Sequence, residues 1–572
     1  MVYNQSQFGN DISNKDLRKI GIKKKSNECN FDPQTMINLF SNPNTENNLT
    51  SFQLKPDLIF DGNKLNLISF SESEVYNSIL SIQSNAVGHD CIHIKFVKLI
   101  LPFVLSTITH IFNHVLTTNI FPAMWKIAQI VPVAKKSAPT APNDFRPISI
   151  LSSLSKAFEK LVSLQMLKHI TNNKLLSRYQ SGFQNGKSCN TAVLRVSEDI
   201  RPNYDKGDIT ILVLIDFSKA FDSVDHEILL DKLFYYFGFS KNTCMLLKSY
   251  LTDRSQYVSL NNNSSNMERI YSGVPQGSIL GPLLFSIFIN DIVSCCKNSS
   301  IHLYADDVQI YLSRPSGLIE DLTFRLNDDL ACIFKWSEEN KLLINVAKTQ
   351  AIHICHKVPA VMIPMLIMNE ASISYSVEVK SLGFVINSKF NCISHINATV
   401  QKIYLVLRKL WCIASFLQPE VKLRLVKIYI VPFIIYGSNV YGNLDWASMK
   451  KLQLAINNCA RFVYNKRKYD HISQYSVNIL RTTLASFLNI RNLIQIHKII
   501  YSKLPEYLYE CLEFCKSRRT KNLVVPVNKN LATSRMFFVN AILLWNKLPN
   551  NIKLESNYTT FKHSIEKLYI PT

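Results

Sequence analysis

The chain has 572 residues, 47% of them hydrophobic, which is enough to bury large cores and to form several subdomains rather than one. Sixty-four Lys and Arg against 42 Asp and Glu give a formal charge of +22, which suits a polyanionic partner such as nucleic acid or an anionic surface. Thirteen cysteines without a repeating spacing, in a chain with no signal-peptide pattern, argue for reduced thiols inside the cell; Cys511/Cys515 and His353/Cys355/His356 lack the second pair a zinc finger needs.

Residues 1 to about 65 are polar and rich in Asn, Ser and Lys, with Asn42-Pro43-Asn44 as a breaker, and read as a poorly ordered lead-in. Residues 66–120 read as a helical extension. Ser71 with Glu74 ahead of Val75, Ile79 and Leu80 predicts a capping-box helix start. Leu99 to Trp125 contains no Lys, Arg, Asp or Glu, yet Val104, Leu105, Ile108, Ile111, Phe112 and Val115 recur at helical spacing among polar residues, so an amphipathic core helix over Leu99 to Leu116 is preferred to a membrane span. Ile127 to Ala134 predicts a strand with a basic tip at Lys135-Lys136.

Ile209 to Phe217 is a continuous apolar run of the kind seen in strands buried on both faces, and Asp216 near its end is the costly kind of residue that marks a site. A helix follows from Asp225 to Phe237. Gly273-Val-Pro-Gln-Gly277 is a turn whose glycines permit close backbone approach to a ligand, ahead of a helix containing Leu283, Leu284, Ile287 and Phe288. Asp306 and Asp307 then interrupt an apolar stretch. They can share one site only at a bend such as a hairpin tip, and either a solvated turn or a divalent cation satisfies them. A helix over Leu322 to Trp336 and a return strand over Leu343 to Val346 come next, and beyond about 395 the pattern is helical. Between 398 and 523 basic residues outnumber acidic ones about three to one, and Lys466-Arg467-Lys468 and Arg518-Arg519 are candidate phosphate contacts or solvated faces.

Three pieces stand in order: IDFSKAFDSVDH (Ile215 to His226), GVPQGSILGPLLFSIFIND (Gly273 to Asp291) and YADD (Tyr304 to Asp307). Together they resemble motifs A, B and C of reverse transcriptases, in the wording of jockey-like non-LTR retrotransposon polymerases. Asp144-Phe-Arg-Pro-Ile-Ser-Ile150 and Gln180-Ser-Gly-Phe183 resemble the fingers blocks. Asn345-x-x-Lys348-Thr349 and Lys380-Ser-Leu-Gly-Phe384 resemble late palm motifs, and Trp545-Asn-Lys-Leu-Pro549 the C-terminal region. The resemblance implies an α+β right-hand polymerase fold: fingers and palm over 121–390, the palm an antiparallel sheet with the YADD hairpin, a helical thumb over 391–480, and a basic, mainly helical C-terminal region over 481–572.

It also implies an RNA-directed DNA polymerase that extends a DNA primer or target 3′-end on an RNA template with deoxynucleoside triphosphates. Asp216, Asp306, Asp307 and the Phe217 carbonyl would hold two Mg²⁺, for which Mn²⁺ substitutes. Phe221 would crowd the 2′ position of the sugar, Gln276 would contact the nucleotide or template base, and Arg146, Lys135 and Lys348 would meet the phosphates. No membrane partner is expected, and the location is intracellular, in nucleus and cytoplasm.

Two departures bear on template handling: Gln184 stands where the family shows Arg, and Gly88-His-Asp-Cys91 where a Gly-Pro-Asp-Gly turn is usual. Gly182-Phe-Gln-Asn-Gly186-Lys-Ser188 misses phosphate-loop spacing by one residue, so an ATPase is rejected. The short lead-in carries the expectation that the endonuclease of such elements is absent. The alternative to an active polymerase is a nucleic-acid-binding remnant of one; an RNA-directed RNA polymerase is disfavoured by Phe221.

Overall fold

A computed structural model describes residues 29, 31–41, 52–136, 138–260, 263–356, 363–441, 444–516, 521–526 and 536–569. The chain forms two compact units, one built from 1–183, 216–295 and 331–345, the other from 184–215, 296–330 and 346–572. Both units are discontinuous, because the chain passes between them after residues 183, 215, 295, 330 and 345.

In the first unit, strand β1 (Ile127–Ala134) pairs antiparallel with β2 (Phe145–Ile150) and parallel with β4 (Arg254–Leu260), which also carries β5 (Asn263–Ser264) and β6 (Glu268–Ile270). The helix Pro33–Ser41 lies within the stretch expected to be a poorly ordered lead-in, and this corrects that expectation. Met36 and Ile37 are fully buried in a cluster with Ala128, Ile130, Phe145 and Val258, and Asp32 caps the helix by accepting from the Gln34 and Thr35 N–H groups. Local polarity hid a single apolar face. The triplet Asn42-Pro43-Asn44 and the pair Arg518-Arg519 lie outside the described residues.

The capping box at Ser71 and Glu74 is present on the helix Glu72–Ser81. The long apolar helix runs Ile94–Thr118 and packs one face through Leu101, Ile108, Phe112 and Val115. Its other face exposes Phe96 (59%), Leu99 (76%) and Phe103 (89%), so it is less of a core helix than its spacing suggests. By length and composition it could cross a membrane. A buried carboxylate organises the middle of this unit: Glu159, on the helix Ser153–Asn172, accepts from the Ile279 and Leu280 N–H groups at 2.8 and 3.1 Å and so serves the N-terminus of the helix Leu280–Phe288.

In the second unit a four-stranded antiparallel sheet has the order β7 (Ser300–Tyr304), β8 (Asp307–Arg314), β3 (Ile209–Ile215), β9 (Gln350–Ile354). As a central strand, β3 is buried along nearly its whole length, which is why it reads as unbroken Ile, Val and Leu. The return strand expected at Leu343 to Val346 is not one. Ile344 makes only an isolated bridge to Phe217, and the strand that flanks β3 begins at Gln350, where the alternation of buried residues resumes.

The helix Cys189–Lys206, the helices Ile393–Trp411, Pro419–Tyr429, Trp446–Tyr464 and Leu484–Ser502, and the C-terminal helices Phe537–Asn546 and Tyr558–Tyr569 share one apolar core with Leu212, Tyr311 and Ile352 of the sheet. Trp545 is fully buried there, its indole N–H donating to the Lys521 carbonyl at 2.7 Å. Glu198, also buried, accepts from the Phe537 and Phe538 N–H groups at 2.9 and 3.2 Å and caps the helix they begin. Burial pushes its carboxyl up to about 7 from 4.5, against the pull of the two N–H groups.

Because the folded value lies above the unfolded one, the stabilisation linked to Glu198 is fully present below the unfolded value, near 4.5, and is lost as pH rises through about 7. Urea unfolding of the wild-type chain at pH 5 and pH 8 should differ by on the order of 3 kcal/mol more than the same pair of measurements on Glu198→Gln. Equal pH dependence in the two proteins would refute the assignment.

Candidate active site

The register of the four-stranded sheet sets the geometry. β3 and β8 run antiparallel with Ile209 opposite Arg314 and Ile215 opposite Val308, and β7 and β8 close with Leu303 opposite Val308 and Tyr304 opposite Asp307. Asp216 is the next residue after Ile215. It leaves β3 at the end of the sheet where the chain enters β8 through Asp306 and Asp307. The hairpin tip expected from the acidic doublet is present as a two-residue turn, Ala305-Asp306. Ala305 has φ +56 and is buried, whereas Asp306 keeps a negative φ, the pattern of a type II′ turn that usually places Gly first. An alanine held there stores backbone strain at the tip. Asp306 is half-buried and Asp307 exposed, in contrast to Leu303 and Val308 beside them.

A second set of residues is assembled within the first unit. The backbone of Phe221 to Val224 is zipped to that of Gly273 and Val274: Gly273 N–H donates to the Val224 carbonyl at 2.7 Å and Val274 N–H to the Phe221 carbonyl at 2.8 Å. His226 bonds the Gly273 carbonyl at 2.8 Å. Gly273 has φ +85, and a Cβ there would sit 2.6 Å from the Asp222 carbonyl oxygen; Gly277 has φ +134, and its Cβ would sit 2.4 Å from the Ser149 carbonyl oxygen. The close approach expected of these glycines is therefore made to the chain's own backbone, which accounts for both without a nucleic-acid contact.

This seam locks two side chains. Phe221 is half-buried, with its ring stacked on Phe285 at 4.4 Å and 21°, and with Phe183 edge-on at 6.3 Å. Gln276 donates its amide to the Asp222 carboxylate at 2.8 Å. Burial pushes Asp222 up to about 6, against the effects of Gln276, Lys219 and Lys135. The sequence signals this pairing only through an acidic residue one position after Phe221. After Asp216, the Phe217 backbone bridges to Ile344 and the Asp216 carbonyl accepts from Asn345 N–H at 2.7 Å.

The basic candidates are scattered. Arg146 is exposed on β2, and Lys135 follows β1 with its ammonium on the Asn143 carbonyl at 2.9 Å. The neighbouring Lys136 pairs with Asp144 at 2.9 Å. Lys348, in the second unit, is exposed just before β9. Lys466, Arg467 and Lys468 follow the helix Trp446–Tyr464. The Lys466 and Lys468 ammonium groups lie over the rings of Tyr475 and Tyr469, and Tyr469 itself is 91% exposed. Tyr469 offers an open face, whereas Trp545 is core.

The mixed helix and sheet content, with an antiparallel sheet that ends in an acidic hairpin, is that of a polymerase-like α+β fold. Residues 133–386 match the family described as "Reverse transcriptase (RNA-dependent DNA polymerase)". The chain is 28% identical over 369 residues to the "Probable RNA-directed DNA polymerase from transposon BS" of Drosophila melanogaster, with 62% of this chain and 40% of that protein covered. It is also 28% identical over 413 residues to the polymerase from transposon X-element (69% and 44%) and over 402 residues to that from mobile element jockey (68% and 43%), both of the same fly. The chain spans about two fifths of the length of these relatives.

The strained turn gives a stability test. Ala305→Gly should be neutral or stabilising by up to about 1 kcal/mol, because Gly adopts positive φ without penalty. Ala305→Val should cost about 1–3 kcal/mol in urea unfolding, a β-branched residue being an outlier there. A valine variant as stable as wild type would rule out the strained turn.

Proposed function

We propose that the chain is an RNA-directed DNA polymerase that adds deoxynucleotides to a DNA 3′-end on an RNA template, with Asp216, Asp306 and Asp307 as its metal-binding catalytic carboxylates. The observation that supports this reading is the β3–β8 register, which ends at Ile215 and Val308, the residue before Asp216 and the residue after Asp307. The donor set fits Mg²⁺: carboxylate oxygens are hard ligands, and two of the three acids sit at a half-buried to exposed tip that substrate can reach. Among the described residues no three His, Cys, Asp or Glu side chains form a ready-made metal cage. Mg²⁺ commonly takes one or two carboxylates from protein and fills its shell with water and substrate phosphates. Two bound Mg²⁺ would activate the primer 3′-hydroxyl and neutralise the leaving pyrophosphate, with Mn²⁺ as a substitute.

The remaining roles fall to this chain's own side chains. Phe221, held by Phe285, presents a fixed ring against which a ribose 2′-hydroxyl would clash, so deoxynucleotides are preferred. Asp222 orients the Gln276 amide through the bond between them and leaves the amide oxygen to face nucleotide or template. Arg146, Lys135 and Lys348 are the candidates for triphosphate contact, and Lys466, Arg467, Lys468 with exposed Tyr469 for the nucleic-acid backbone and bases, a contact that weakens steeply with salt.

Primer extension by the full chain on a primed RNA with Mg²⁺ is the test. Asp306→Asn should reduce extension to below about a hundredth of wild type. Wild-type chain that binds primed RNA yet extends nothing in Mg²⁺ or Mn²⁺ would leave only a nucleic-acid-binding remnant. The sugar preference is tested separately: Phe221→Ala should raise ribonucleotide use relative to deoxynucleotide by about tenfold or more. Equal use of both sugars by the unmodified chain would defeat the steric argument.

A further inference from the structure

Both strands of the catalytic hairpin are tied to one residue of the C-terminal region, and every contact lies inside the second unit. Tyr507, in the short helix Glu506–Tyr509, is 2% exposed. Its ring meets His302 of β7 edge-on, 5.3 Å between centroids and 86° between planes, and His302 is fully buried two residues before Tyr304. Its hydroxyl donates to Thr191 Oγ1 at 3.2 Å, on the first turn of the helix Cys189–Lys206. Its carbonyl accepts from the Arg195 guanidinium at 3.0 Å. Arg195 pairs in turn with Asp199 at 3.0 Å, and Asp199 accepts from the Tyr311 hydroxyl of β8 at 2.6 Å.

A second line runs to the tip itself. The Tyr304 hydroxyl donates to the sulfur of Cys189, two residues before Thr191; burial raises the thiol against the pull of that bond, while burial and the bond together raise Tyr304. The Lys187 ammonium lies 5.5 Å from the Tyr507 ring centroid, and burial brings it down to about 8, opposed by Glu506. β7 is therefore one contact from Tyr507 through His302, β8 three contacts through Arg195 and Asp199, and Tyr304, the last residue of β7, is reached through the helix residues Thr191 and Cys189. Tyr304 stands out in the sequence as part of YADD, but Tyr507, His302, Thr191, Arg195 and Asp199 do not.

We propose that Tyr507 is a positioning residue for nucleotidyl transfer: the C-terminal region braces the hairpin that carries Asp306 and Asp307 through the Tyr507 ring on β7 and through the helix Cys189–Lys206 on β8 and Tyr304. This rests on the polymerase reading above. Misplacement of a reacting group by a fraction of an ångström to an ångström costs one to two orders of magnitude in rate, whereas binding of nucleic acid to exposed basic residues is indifferent to it.

The test uses the full chain and four variants: Tyr507→Ala, Tyr507→Phe, Thr191→Val and the Tyr507→Phe/Thr191→Val pair. The two conservative changes keep the packed volume nearly constant, so a folding failure of Tyr507→Ala does not end the experiment. Two readouts are taken: kcat and KM for primer extension, and hydrogen exchange of the amides in 300–311. Tyr507→Phe and Thr191→Val should each lower kcat about fivefold, the pair no further than either alone, with KM for primed RNA unchanged and exchange faster in 300–311 but not in β1 and β2. Wild-type kcat and unaltered exchange in both conservative variants overturn the proposal, as does a rise in KM for primed RNA at constant kcat. If wild-type chain extends no primer, the polymerase reading fails by itself, and exchange in 300–311 still decides whether Tyr507 braces the hairpin.

Discussion

The antiparallel pairing of β3 with β8 is the constraint on which the functional arrangement depends. With Ile215 opposite Val308 and a two-residue turn closing β7 on β8, the chain has no freedom over where Asp306 and Asp307 sit relative to the end of β3. A slip of one residue would reverse every side chain of β3 and expose its Ile and Val residues, which are buried in the sheet. Core packing and carboxylate placement are therefore enforced by the same set of contacts. The tip adds one local cost, a left-handed Ala305, at the point where any relaxation would move Asp306.

Within each unit the protein uses glycine or buried carboxylates to bring distant segments together. Gly273 and Gly277 let two backbone strands touch where a Cβ would collide, and the resulting seam fixes Phe221 against Phe285 and Gln276 against Asp222. Glu159 and Glu198 each give a carboxylate to the N-terminus of a helix remote in sequence, neutralising unpaired N–H groups that would be costly to bury. The C-terminal region is thereby part of the core that holds the catalytic sheet, not an appendage carrying positive charge.

What the sequence made legible follows from local rules. The apolar run before Asp216, the helix stop signals, the Ser71/Glu74 capping box and the acidic hairpin each depend on a few consecutive residues, and each is found where the pattern puts it. Three features were hidden for physical reasons. Ala305 occupies a position whose usual signal is Gly, so the turn type was silent. The helix Pro33–Ser41 has too short an apolar face to stand out from its polar surroundings. The partners of Glu198 and Tyr507 lie over 300 residues away in sequence, and no periodicity encodes a contact of that range. The strand misplaced at Leu343 to Val346 failed because a brief apolar run cannot be told from a bridge without knowing its neighbour.

The central claim is that the end of motif A and the tip of motif C serve one divalent cation site. Loading the full chain with Fe²⁺ in place of Mg²⁺, generating hydroxyl radicals with ascorbate and peroxide, and mapping the backbone cuts tests it directly. The account predicts cuts clustered around Asp216 and around Tyr304 to Val308 together, both suppressed by excess Mg²⁺ and both lost in Asp306→Asn. Cuts confined to one of the two segments, or a pattern unchanged in Asp306→Asn, would contradict it.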